Sequence, residues 1–139
     1  MNVTISVNTS VGGAAGANGG TSGGADGGGA DLVGGGGVAI ANMIVRGSCS
    51  GIAGASLGGN VESAGDTCGL TEPDDLVNVA DEALALDPLA ANGGHTETRA
   101  ISSSSAAAGR GRNANCEPIG QRGVSRPASG CDSGACEAP

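Results

Sequence analysis

Apolar and polar residues alternate along this chain in short bursts separated by glycine. Residues 3–7, "VTISV", alternate and are β-branched, which predicts a strand. A second strand region follows at 38–45, "VAIANMIV". In "CSGIAGASLGGNVES", residues 49–63, Ile52, Leu57 and Val61 are spaced by Gly and Asn, a pattern of short strands and bends. "TEPDDLVNVADEALALDP", residues 71–88, fits two readings. Leu76, Val79, Leu84 and Leu86 suit either a helix opened by Asp74 or Asp75, or short strands with polar corners. The favoured reading is a loop or short helical turn ending at Pro88. From residue 102 on, apolar positions thin out, and the tail is expected to wrap a core rather than build one. "NTSVGG" (8–13) and "NMIVRG" (42–47) share N-x-x-V-x-G at an offset of 34 residues, with Asn at a corner, Val inside and Gly at the next bend.

Composition narrows the fold. The 139 residues fit one domain, and they contain no Phe, Trp, Tyr or Lys. Leu, Ile and Val together number 23, so a large Leu-packed core is ruled out. Residues 12–37 carry 14 Gly in 26 positions, either a long flexible loop or a series of tight turns. A chain with net charge −8 and so few large apolar residues is either largely disordered or adopts a fold that needs little core per residue. A parallel β-solenoid meets the second condition: ladders run between coils, and a thin column of Val, Ile, Leu and Ala fills the interior.

The charge balance argues against nucleic acid, because six Arg face fourteen acids and no ring is available to stack on a base. No apolar run approaches the length of a membrane span, and "MNVTISVNTS" does not read as a signal peptide. Cys49, Cys68, Cys116, Cys131 and Cys136 include no C-x-x-C pair, and His95 stands alone, so a zinc site is poorly supported. Disulfides suit a chain with a weak core; the odd count leaves one thiol over, and spacing alone does not fix the pairing.

A set of motifs from Val38 to Pro139 is more specific. These are "VAIANMIVRGSCSG", "SLGGNVES…DTCGL", "DPLAANGGHTETRA" and "NANCEPIGQRGVSRPASGCDSGACEAP", in that order. Together they resemble the bacterial choice-of-anchor Q domain family, secreted right-handed parallel β-helix proteins of pectin-lyase-like architecture. The resemblance implies disulfides Cys49–Cys68 and Cys116–Cys131, closing separations of 19 and 15 residues and leaving Cys136 as a free thiol where the family has an aromatic. Closures of that size are worth roughly 3 kcal/mol each in the chain-entropy model. The chain departs from the family at "ISSSSAAAGRG", which has lost apolar residues, prolines and an acid, and at Ser133, where the family has an Ile-like residue. Such losses make the closing segment looser and leave open a reading of the chain as a largely disordered, drifted fragment.

The candidate sites each have a structural reading beside a chemical one. His95 lacks a partnered nucleophile and reads as an exposed loop residue. Asn92, Gly93 and Gly94 read as a turn, after a break at Asp87–Pro88 and before a short strand at 96–100. Asp74, Asp75, Asp81, Glu82 and Asp87 read as a solvated acidic face; Asp74 and Asp75 are the pair that a calcium ion would use. Arg122 and Arg126, in "QRGVSRP", read as pins for a wrapping tail with Asp132 and Glu137 as partners, the alternative being sugar-acid binding.

The expectation is an all-β, right-handed parallel β-helix (a β-solenoid) with glycine-rich turns and an irregular, disulfide-tied C-terminal segment. Residues 1–86 form the coils, with the glycine-rich loop at 12–37, and residues 87–139 close the same domain. The expected role is a non-enzymatic structural module, extracellular or on the bacterial cell surface, associating with itself by end-to-end or lateral stacking, fibres included, or with cell-surface polysaccharide. An enzymatic alternative is a polysaccharide lyase, which in a chain without Lys would use Arg46, Arg99 or Arg122 as its base.

Overall fold

A computed structural model describes residues 2–8, 32–33, 37–52, 54 and 56–139. The first copy of the N-x-x-V-x-G pattern, apart from Asn8, and most of the glycine-rich stretch lie outside them. The described residues are mostly short strands and turns. β1 (Thr4–Ser6), β3 (Ile44–Arg46), β5 (Val61–Ser63) and β6 (Leu76–Val79) form a parallel sheet in the order β1-β3-β5-β6. β2 (Leu32–Val33) pairs in parallel with β4 (Cys49–Ser50). One helical turn, α1 (Asp81–Leu84), leads into β7 (Leu86–Ala90), which pairs antiparallel with β8 (Thr98–Ile101). A short 3₁₀ turn covers Asn113–Asn115.

This architecture corrects the expected solenoid. The chain forms a small protein with a four-stranded parallel sheet and a separate antiparallel pair, and no solenoid or β-helix is identified. A solenoid repeats at a nearly fixed step. Here Thr4 pairs with Ile44, Ile44 with Val61 and Val61 with Leu76, steps of 40, 17 and 15 residues. The offset of 34 seen in the sequence is none of these. The chain then reverses direction in β7–β8 instead of adding a fifth parallel strand.

The alternation of the strands gives the parallel sheet two unlike faces. On one, Met43 and Val45 pack with Ile40, Cys49 and Cys68, joined by Val3, Ile5 and Leu32. On the other, Ile44 and Val61 pack with Leu84, Ile101 and Ala107, joined by Leu76 and Val79. The sheet is thus a middle layer. The C-terminal segment closes the second face with the fully buried Ala107. The tail contributes backbone as well as side chains: Gly134 N–H donates to Asn42 O at 2.9 Å, and Ser133 N–H to Ala107 O at 3.0 Å.

Two local expectations also change. The helical turn in 71–88 begins after Ala80, not at Asp74 or Asp75, and Pro88 sits inside β7 instead of ending the segment. Pro is tolerated there because β7 is an edge strand whose residues from Asp87 on are exposed.

Candidate functional site

The C-terminal segment carries the densest polar chemistry. The Arg126 side chain is 1% exposed. One of its terminal nitrogens, Nη1, bonds Asp132 O at 3.0 Å and the Glu137 carboxylate; the other, Nη2, bonds Gly134 O at 2.6 Å. Nε is buried without a partner. Arg122 Nη2 donates to Glu137 O at 2.6 Å. Asp132 does not meet either guanidinium with its carboxylate; it accepts Gly109 N–H and Ala138 N–H, each at 2.6 Å. Two arginines and two acids therefore fold the last residues into a clasp, each charge offset by partners at close range. Burial pushes the Glu137 carboxyl above its ordinary range; the neighbouring Asp132 carboxylate adds to this, while the Asp132 N–H and Arg126 act in the opposite direction.

A second knot joins this tail to the sheet. Asn42 is fully buried in the left-handed region at φ 51°, which Asn tolerates. Its Oδ1 accepts Arg112 N–H at 2.7 Å, and its Nδ2 donates to Arg112 O at 3.2 Å. Beyond the backbone, Arg112 forks onto Asp74 at 2.7 and 2.8 Å and reaches Glu72 at 2.9 Å. The bond from Arg112 holds the Asp74 carboxyl below its usual range, and Asp74 with Glu72 raises the guanidinium in turn. Gly59 makes the approach feasible: at φ +71°, a Cβ there would collide with Asn42 Oδ1 and Arg112 N.

Asp75 turns away from Asp74 into a different network. Its oxygens accept Asn60 N–H at 2.9 Å, Asn60 Nδ2 at 3.0 Å, Ser56 Oγ at 2.5 Å and Glu72 N–H at 3.0 Å. The two acids named as calcium ligands thus serve an arginine and a set of hydrogen-bond donors respectively. Glu62, fully buried on β5, accepts Thr67 N–H and Thr67 Oγ1, both at 2.7 Å, and Cys68 N–H at 3.0 Å. Thr67 Oγ1 in turn accepts Cys49 N–H at 2.8 Å, so one carboxylate organises the turn around the first disulfide.

The structure bonds Cys49 to Cys68 and Cys116 to Cys131, with Cα separations of 4.8 and 6.5 Å, and Cys136 is a buried free thiol. These are the same pairs the motif resemblance implies. Asn92 Nδ2 crosses the β7–β8 loop to Thr98 O at 2.7 Å. Gly94, at φ +86°, lies against the backbone of Arg122, where a Cβ would sit 2.8 Å from Cα. His95 is exposed on the same loop. Arg46 is paired with Asp81 at 2.6 Å, and Arg99 bonds Asp87 O at 3.1 Å. Asp81 is held below its usual range by Arg46 first and by the Ser63 hydroxyl second.

Sequence reasoning missed Asn60, Glu62 and Arg112. Their partners lie 4 to 70 residues away, with no shared spacing that would mark them in the sequence. Asn42 carried a signal, the N-x-x-V-x-G corner, and the structure places Val45 inside and Gly47 at the following bend, at φ +141°.

Fold and chemistry define a class: a small, mostly β protein tied by two disulfides, which mark an oxidising environment, and with no helix long and apolar enough to cross a membrane among the described residues. Comparison with protein-family models, curated proteins and solved structures returns no match.

Proposed function

We propose that this chain is a non-enzymatic structural module of the extracellular space or the bacterial cell surface. The observation that carries this reading is how its cations are used. Arg126 and Arg122 clamp the tail, Arg112 ties the tail to the Glu72–Asp74 turn, and Arg46 links β3 to α1. The three arginines named as lyase bases, Arg46, Arg99 and Arg122, each spend a nitrogen on Asp81 or on a backbone carbonyl. A proton-abstracting arginine must be free to lose its proton, and an acid partner such as Asp81 raises Arg46 further from that state. Two disulfides support the extracellular setting. The quoted motifs, similar to those of the choice-of-anchor Q family, point the same way.

The test is incubation of the purified, oxidised chain with acidic polysaccharides, followed by the absorbance of unsaturated products. No product is expected. Product formation that disappears in Arg99→Ala or Arg122→Ala overturns the structural reading in favour of the lyase.

A further inference from the structure

β1 is flanked by clefts on both faces. One, about 450 Å³, is apolar and includes Val3, Ile5, Ile40 and Met43 in its walls. The other, about 300 Å³, is polar and includes Thr4, Ser6, Thr98, Arg99 and Gln121. Among the described residues, β3 is the only strand that pairs with β1. Ile44 N–H donates to Val3 O at 2.9 Å and Val7 N–H to Arg46 O at 3.5 Å. In a parallel ladder the main-chain groups of successive residues face opposite sides. Val3, Ile5 and Val7 therefore face β3, and the N–H and C=O of Thr4 and Ser6 face the other edge, which no strand pairs among the described residues. Thr4–Ser6 has no charge, proline or bulge to blunt that edge, which ends at Val7, at φ 54°. Val7 beyond it is 61% exposed, and Ser6 Oγ is buried without a hydrogen-bond partner.

We infer that β1 is the pairing edge of a two-fold dimer, its occupant being β1 of a second copy running antiparallel. The two clefts select this partner. A two-fold axis normal to the sheet keeps each face on its own side. Val3 and Ile5 of the second copy then enter the apolar cleft, and Thr4 and Ser6 enter the polar one. The register follows from the outward groups: Thr4 of each copy exchanges two main-chain bonds with Ser6 of the other, and Ile5 meets Ile5 on the axis. Charge is balanced on the polar side, where the cleft holds one acid, Glu97, and one base, Arg99, and Glu117 is the charged residue lining the apolar side.

The other edge of the sheet fits less well. β6 is interrupted by a register shift, and it carries Leu76 and Val79 on the face that would meet the polar cleft. Head-to-tail stacking of β6 on β1 is therefore disfavoured against a closed dimer.

The test is sedimentation velocity of the full oxidised chain from micromolar to millimolar concentration. A monomer–dimer equilibrium is expected, strengthened by added salt because salt screens the repulsion between two chains of charge −8. Ser6→Pro removes an outward N–H from each copy without touching the bonds to β3, and should weaken the dimer about tenfold or more. Ile5→Cys, in a Cys136→Ser background, should oxidise to a covalent dimer, since side chains directly opposite on an antiparallel pair stand roughly 4.5–5.5 Å apart. Val124→Cys, at an exposed site that lines neither cleft, should stay monomeric. A wild-type chain that stays monomeric throughout, a Ser6→Pro dimer of unchanged strength, or assemblies that grow beyond two copies overturn the proposal. A monomer that leaves polysaccharide intact overturns the dimer while leaving the structural reading in place.

Discussion

At the scale of single residues, stability depends on buried polar groups more than on apolar bulk. Arg126 is the sharpest case, because its truncation strands Glu137, whose side chain is only 12% exposed. Arg126→Ala should cost about 3–5 kcal/mol in urea unfolding, the range for breaking one half of a buried pair. Replacing both partners, Arg126→Met with Glu137→Met, should recover much of that loss, since no charge is then left unpaired. Glu62 offers a second test. In Glu62→Gln one acceptor becomes an NH₂ facing the N–H of Thr67 or Cys68, and the loss should be about 1–3 kcal/mol by the same measurement. The tail pins at Arg122 and Arg126 were legible in the sequence because arginine, acid and turn residues lie within a short span. Glu62 was not legible: an acid inside a strand normally signals an exposed face, and only the tertiary position of Thr67 and Cys68 turns it inward.

Elements show the same division. The strand at "VTISV" announces itself by β-branched alternation and forms over Thr4–Ser6, whereas of the region expected at 38–45 only Ile44 and Val45 enter a strand, with Ile40 in an isolated bridge. The segment 71–88 does not announce itself. Leu76–Val79 becomes a strand because Val61 and Ser63 offer it an edge, and Pro88 is carried in β7 because that strand needs no donor on its outer side. The expected solenoid failed at this level: local glycine corners and short strands were present, but nothing in them fixes the step between paired strands. The disulfides compensate for such short elements. Removing either one by a double Cys→Ala substitution should cost roughly 3 kcal/mol, from closures of 19 and 15 residues. Thiol titration of the denatured, unreduced chain should find one reactive group, Cys136.

For the whole molecule, charge and burial act in opposite directions as pH falls. Asp74 and Asp81 have folded-state pKa values below their ordinary ones, so their contribution is complete above the ordinary aspartate range and is lost as pH falls through the folded values. Glu137 has the reverse sign: its folded pKa lies above the ordinary glutamate value, so the folded state takes up its proton first and gains stability as pH falls through that point. Acidification also reduces the self-repulsion of a chain carrying −8. These effects separate in pH. From neutrality down to about pH 5, Glu137 and the falling net charge both favour the fold, and the aspartates lose nothing. Below the ordinary aspartate range the Arg112–Asp74 and Arg46–Asp81 pairs lose their contribution progressively, and with it the tail loses its tie to the Glu72–Asp74 turn. Urea midpoints should therefore hold or rise from pH 7 to pH 5 and fall steeply by pH 3. Glu137→Gln should flatten the upper limb, because a neutral side chain has no proton to take up there, whereas Asp81→Asn should lower the curve only on the neutral side and leave the acid end nearly unchanged. A steady decline from pH 7 downward, with no plateau, would mean that the clasp around Glu137 does not hold its carboxyl out of water.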